Sequence, residues 1–210
     1  MTKTEVVIKA FVYIRPFLAS YTILSSYSGL TQALVVCLYQ MAITQFSYIY
    51  HRNYSYLNEM WVVGPLTYSY LLLEKGSKPL LMYGLVALWA LRVCFVNRSF
   101  VLDSKQWEAW SKSFQTYWLA FHIGFACVFM NVLPMTMSLP LQYSEGDLSI
   151  YDLFLVLTGL VSLGITPNHL GDLLFWWSIF GLTGNLNASI AGPVLFSTYS
   201  FFSYKLNYTT

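Results

Sequence analysis

Charge is the scarcest commodity in this sequence. Only 10% of its 210 residues are Asp, Glu, Lys or Arg, against about 25% in a soluble domain. The net charge is +2 and no two basic residues adjoin, so the electrostatic footprint of a nucleic-acid binder is missing. Cys37, Cys94 and Cys127 stand singly inside apolar stretches. Without a Cys-x-x-Cys spacing they exclude a disulfide framework or a zinc site and read as small side chains packed between helices. His51, His122 and His169 show neither His-x-x-x-His nor His-x-x-Glu spacing, so a haem or di-iron centre has no warrant and no metal ligand is assigned. Nucleophile-base and phosphate-loop signatures are lacking too. No internal repeat, low-complexity tract or Pro/Ser linker interrupts the chain, which is expected to be one domain over residues 1–210. Its start, Met1 to Glu5, resembles neither a secretory signal nor a transit peptide, which places any targeting information within the apolar stretches themselves.

What is present is apolar. The AVILMFWYC residues make up 57% of the chain and the aromatics 19%, with a mean hydropathy of +0.54 in 24.1 kDa. Disordered chains are polar and poor in aromatics, and a soluble enzyme of this size needs more polar surface. The composition predicts an all-α, polytopic membrane helix bundle. A span takes about 20 apolar residues, and stretches of that kind lie near 10–27, 29–50, 60–73, 79–97, 115–138, 151–165, 170–183 and 188–204. Those at 60–73, 151–165 and 170–183 are short. Each either extends through interfacial polar residues or is a re-entrant or buried piece, which bounds the count at about six to eight spans.

With eight spans, both termini share one side with the loops 51–59, 98–114 and 166–169. That side carries Lys3, Lys9, Arg52, Arg98, Lys105, Lys112 and Lys205; the other carries Lys75 and Lys78. The asymmetry places the termini on the cytoplasmic or matrix side. Tyr48, Tyr50, Tyr54, Tyr56, Trp61, Trp107 and Trp110 crowd the span ends, as an interfacial aromatic belt does. Asn-x-Ser/Thr sequons occur at Asn53, Asn97, Asn187 and Asn207. Three of them fall on the basic side, so chance occurrence explains them best.

Ionisable residues at membrane depth are costly, and each is a candidate site. Arg15, beside Pro16, reads as a snorkelling side chain or the partner of a lipid phosphate. Arg92 sits deep in its span and requires a carboxylate, a carbonyl or a lipid phosphate. Asp172 opens an apolar span beside His169. Asp152 opens another, where the helix dipole favours an acid. His122, in mid-span, reads as a satisfied core imidazole before a metal ligand.

The stretch PNHLGDLLFWWSIFGL, residues 167–182, resembles the C-terminal signature of the steroid 5-alpha-reductase-like membrane proteins through Pro167, Asn168, Gly171, Trp176 and Trp177. Asp172 stands where that family has Glu, and His169 where it has Tyr or Phe. Upstream, residues 52–70 are similar to a second family stretch through Ser55, Trp61, Pro65 and Tyr68, with Asn58 in place of an Asp. LWALRVCF, residues 88–95, gives Arg92 a family counterpart, and DSKQWEAW is similar to the acidic loop that follows it. Ser189 to Leu195 resembles the closing Ser-Ile-x-Gly-Pro stretch. The similarity runs over about 52–200, in family order.

The family resemblance implies a cytoplasmic-side NADPH site, with Asn168, Asp172, Trp176 and Trp177 as the residual cofactor-binding positions. The family's acidic stretch and basic lead-in are missing, however, and its Arg-His before Pro-Asn is Ile165-Thr166 here. A dinucleotide phosphate needs guanidinium, ammonium or backbone N–H groups. The expectation is therefore a degenerate scaffold with no catalytic residue and no cofactor, the alternative being an NADPH-dependent reductase of a steroid or fatty-acyl substrate. Arg15 and Arg92 are assigned structural or lipid-pairing roles. The expected partners are neighbouring membrane subunits and bound phospholipids. The favoured setting is a mitochondrial respiratory or ATP-synthase assembly in the inner membrane, with the endoplasmic reticulum as the alternative. A transporter with Arg92, Asp152 and Asp172 as pathway charges is a further reading, but it lacks repeats or paired broken helices.

Overall fold

Two of the helices, those preceded by Ser28 and Ser149, begin where the serine side chain holds a first-turn orphan N–H group. In the computed structural model, which describes residues 27–51, 55–96, 112, 115–144, 146–164, 169–184 and 186–208, Ser28 Oγ accepts from Thr31 N at 3.4 Å and opens α1, Gly29–His51. α2 is Ser55–Leu71, with Pro65 inside it. α3 is Ser77–Val96 and takes Pro79 in its first turn, where a missing N–H costs nothing. α4 is the long helix Trp118–Tyr143 of 26 residues. Its segment His122–Phe129 is π-helical and its last turn, Leu139–Tyr143, is 3-10. α5 is Ile150–Gly164 and α6 is His169–Gly181. After a 3-10 turn at Ala188–Ile190, α7 runs over Ala191–Tyr208. Every regular element among the described residues is helical.

These elements follow the apolar stretches closely. The short stretch at 60–73 does extend through polar residues, back to Ser55, whereas α5 and α6 stay short at 15 and 13 residues. The stretch 10–27, apart from Tyr27, and with it Arg15 lie outside the described residues. By length and composition α4 is the one helix among the described residues able to cross a membrane, and α5 and most of α6 are shorter apolar helices.

The helices close a ring in space: α4 packs on α2, α2 on α3, α3 on α5, α5 on α6, α6 on α7 and α7 back on α4, with α1 against α2 and α4. α5 and α6 share the most extensive contact. The capping box of α5 is reciprocal: Ser149 N donates to Asp152 Oδ2 at 2.8 Å while Asp152 N donates to Ser149 Oγ at 3.1 Å, satisfying two orphan donors at once. The turn that follows α6 closes at Gly184, whose φ of +74 is reached without the Cβ clash other residues meet. α7 reaches α4 through Gly192, where a Cβ would lie 2.4 Å from Thr136 O.

The polarity of α5 is inverted relative to a soluble helix. It buries Asp152, Gly159 and Ser162 and exposes Ile150 at 88%, Val161 at 66% and Phe154 at 64%. Large apolar side chains are likewise exposed on α1, such as Leu38 and Phe46, and on α3, such as Leu80 and Leu91. Helices apolar on both faces belong in a large core or in lipid.

Gly192→Ala is expected to push α7 off α4, because the obstructing atom is backbone and cannot rotate away. A loss of about 1–3 kcal/mol, measured by reversible unfolding of the purified protein, checks this close approach.

Candidate functional site

Asp172 occupies the first turn of α6, where the helix dipole favours a carboxylate. It is fully buried. Trp89 Nε1 donates to its Oδ1 at 2.8 Å, and Arg92 Nη1 donates to the same oxygen at 3.0 Å. Both donors come from α3 and lie three residues apart, hence on one face of that helix. Arg92 is near the C-terminal end of α3, which suits a cation. The requirement that Arg92 find a polar partner is thus met by a carboxylate 80 residues away in sequence. Asp172, which stands beside His169 in the sequence, takes Arg92 and Trp89 of α3 as its partners in the fold.

Trp89, which bonds Asp172, is one of a cluster of three aromatic rings. Trp89 meets Trp176 edge-on at 5.2 Å, Phe175 meets Trp176 edge-on at 5.2 Å, and Trp89 stacks on Phe175 at 6.1 Å. All three rings are fully buried. Excluding water this way strengthens the charge-assisted bonds and makes an unpartnered charge there expensive.

Of the four residual family positions, Asp172 and Trp176 face into the bundle together. Trp177 turns the other way, partly exposed, with Nε1 donating to Ser197 Oγ of α7 at 3.1 Å. Asn168 lies outside the described residues. The carboxylate and the guanidinium are joined to one another, the indole of Trp176 is packed, and between residues 157 and 174 the sequence holds no Lys or Arg.

The three charges suggested as a transport pathway do not converge. Asp152 sits at the opposite end of α3 from Asp172, where Lys78 Nζ approaches its Oδ1 at 3.1 Å. Sequence reasoning took Lys78 for a loop charge and missed this second buried pair. Lys78, Met82, Leu85, Trp89 and Arg92 follow a helical spacing along α3, and that periodicity was the signal that one face carries both cations. Also unforeseen was a polar chain across three helices. Tyr68 Oη of α2 donates to Gln40 Oε1 of α1, Thr44 Oγ1 donates to Gln40 O at 2.8 Å, and Asn131 Nδ2 of α4 donates to Thr44 Oγ1 at 3.3 Å. His122 is fully buried at the start of the π-helical segment, its ring 6.3 Å from that of Trp118. Among the described residues no cluster of three His, Cys, Asp or Glu forms a candidate metal site.

Asp172→Leu and Arg92→Met are each expected to destabilise the protein by about 3–5 kcal/mol, because each strands a buried charge. The double substitution should recover most of that loss. A double-mutant cycle by chemical unfolding checks it, and additive losses would mean that the two charges are not coupled.

No protein-family profile, curated protein or solved structure matches the chain, so its likeness to the steroid 5-alpha-reductase-like proteins rests on the residues quoted from the sequence.

Proposed function

We propose that the chain is a polytopic membrane helix bundle serving as a non-catalytic, structural subunit of a larger membrane complex, built on a degenerate reductase-like scaffold. The observation that carries the proposal is the state of Asp172. Its carboxylate is fully buried and engaged by Arg92 and Trp89, so the acid position a reductase would turn toward a cofactor is used to join α3 to α6. The inverted polarity of α5 supports the membrane setting, since a face carrying Ile150, Phe154 and Val161 is stable in lipid and a liability in water. The partners are neighbouring membrane subunits and bound phospholipids. A mitochondrial inner-membrane assembly of the respiratory or ATP-synthase kind is the proposed host, with the termini on the matrix side.

Topology is tested first. Cysteines introduced at Lys75 and Lys112, both exposed, are expected to react with a membrane-impermeant maleimide from opposite faces of sealed vesicles. Labelling of both from one face would sink the proposed orientation.

Function is tested on native membranes solubilised in mild detergent. The chain should migrate within a large complex on a native gel, and NADPH titrated into the purified protein should give no heat of binding. Migration as a lone protomer, with micromolar NADPH binding weakened by Asp172→Ala, would overturn the subunit reading and establish a reductase.

A further inference from the structure

We infer that the outward face of the α5–α6 hairpin is fitted to a locally thin lipid layer, an annulus of phospholipid whose hydrocarbon is about two-thirds as thick as an ordinary bilayer's. The inference rests on the membrane reading above and adds which surface meets lipid and what thickness it selects. α5 and α6 have 15 and 13 residues, hence lengths of about 22 and 20 Å. An ordinary hydrocarbon core is about 30 Å thick. α1 and α4, with 23 and 26 residues, reach about 35 and 39 Å. The bundle is therefore long on the α1–α4 side and short on the α5–α6 side.

The charges mark the same two levels. The Lys78–Asp152 pair sits at the first turn of α5, and the Arg92–Asp172 pair at the first turn of α6. Their cations are both on α3 and about 21 Å apart along its axis. In a slab of about 30 Å both pairs would lie some ~4 Å inside the hydrocarbon; in a thin layer both lie at headgroup level, where the cost of charge falls away.

Lipid, rather than a partner helix, suits the exposed row. Interfaces between membrane helices use small residues that let backbones approach. On α5 the small residues Gly159 and Ser162 face inward, Gly159 toward Ser178 and Leu85. The outward row is bulky: Ile150, Phe154, Leu157 and Val161.

The test places a lysine at two heights on this face of the full-length chain, reconstituted into dioleoyl phosphatidylcholine vesicles. Ile150→Lys, at the rim of a thin layer, should leave the thermal unfolding midpoint where the wild type has it. Leu157→Lys, at mid-depth, should lower the midpoint by several degrees. In thicker dierucoyl phosphatidylcholine the wild-type midpoint should also fall. Equal damage from both lysines means a layer of ordinary thickness and overturns the inference. Tolerance of both lysines means that lipid does not cover the face, and overturns it as well. Protein that fails to float with vesicles of either lipid overturns the membrane reading itself, and the inference with it.

Discussion

The bond from Arg92 to Asp172 is the constraint on which the rest of the bundle depends. A carboxylate with no exposure to solvent is tolerable only where donors replace its lost hydration. Arg92 and Trp89 supply them from one face of α3, so α3 and α6 can pack only at the height and rotation that bring those donors to Oδ1. Trp89 then packs on Phe175 and Trp176 of α6, adding an apolar contact beside the polar one. α5 is carried along as the other arm of the α5–α6 hairpin and meets α3 at its opposite end through Lys78 and Asp152.

Much of this was legible in the sequence, because apolar run length is a physical requirement that residues announce directly. Six of the runs reappear as α1 and α3 to α7 with ends shifted by a few residues, and the seventh as α2 with its start moved back to Ser55. Arg92 announced its own need for a partner, since an unpaired guanidinium in an apolar stretch is untenable. Which acid would answer was not legible. Asp152 and Asp172 both open short apolar helices, and only the tertiary path decides that α6, not α5, begins beside the C-terminal end of α3.

Other features lay beyond sequence reasoning for a different reason. The π-helical segment His122–Phe129 has no composition of its own. Its widened turns accompany a ladder of rings, Phe121 on Phe125 at 5.2 Å and Phe125 on Phe129 at 5.5 Å, four residues apart each time. Phe125 and Phe129 in turn touch Tyr199 of α7. Tertiary contacts of this kind override local propensity. The same holds for Gln40, Thr44 and Asn131, which read separately as mild interruptions of apolar runs. Across three helices they are a connected set.

Two ion pairs on one helix accomplish something that neither would alone. A single buried salt bridge is weak support for stability, because desolvation offsets much of its attraction. Register is a different matter. Sliding α3 by one turn, about 5.4 Å, would exchange one leucine or valine contact for another at little cost in an apolar bundle. It would also separate Lys78 from Asp152 and Arg92 from Asp172 in the same step, stranding four buried charges at several kcal/mol each. In the lipid setting proposed here, apolar surface gives helices no reason to prefer one another over acyl chains. Selection among near-equivalent packings then falls to polar contacts: the two ion pairs around α3, the Tyr68–Gln40–Thr44–Asn131 chain around α1, and the Ser138 hydroxyl, 3.0 Å from the carbonyls of both Pro65 and Pro134. These groups bind α1 through α6 to fixed heights, which the proposed structural-subunit role requires if the outer faces are to meet the same neighbours at every assembly.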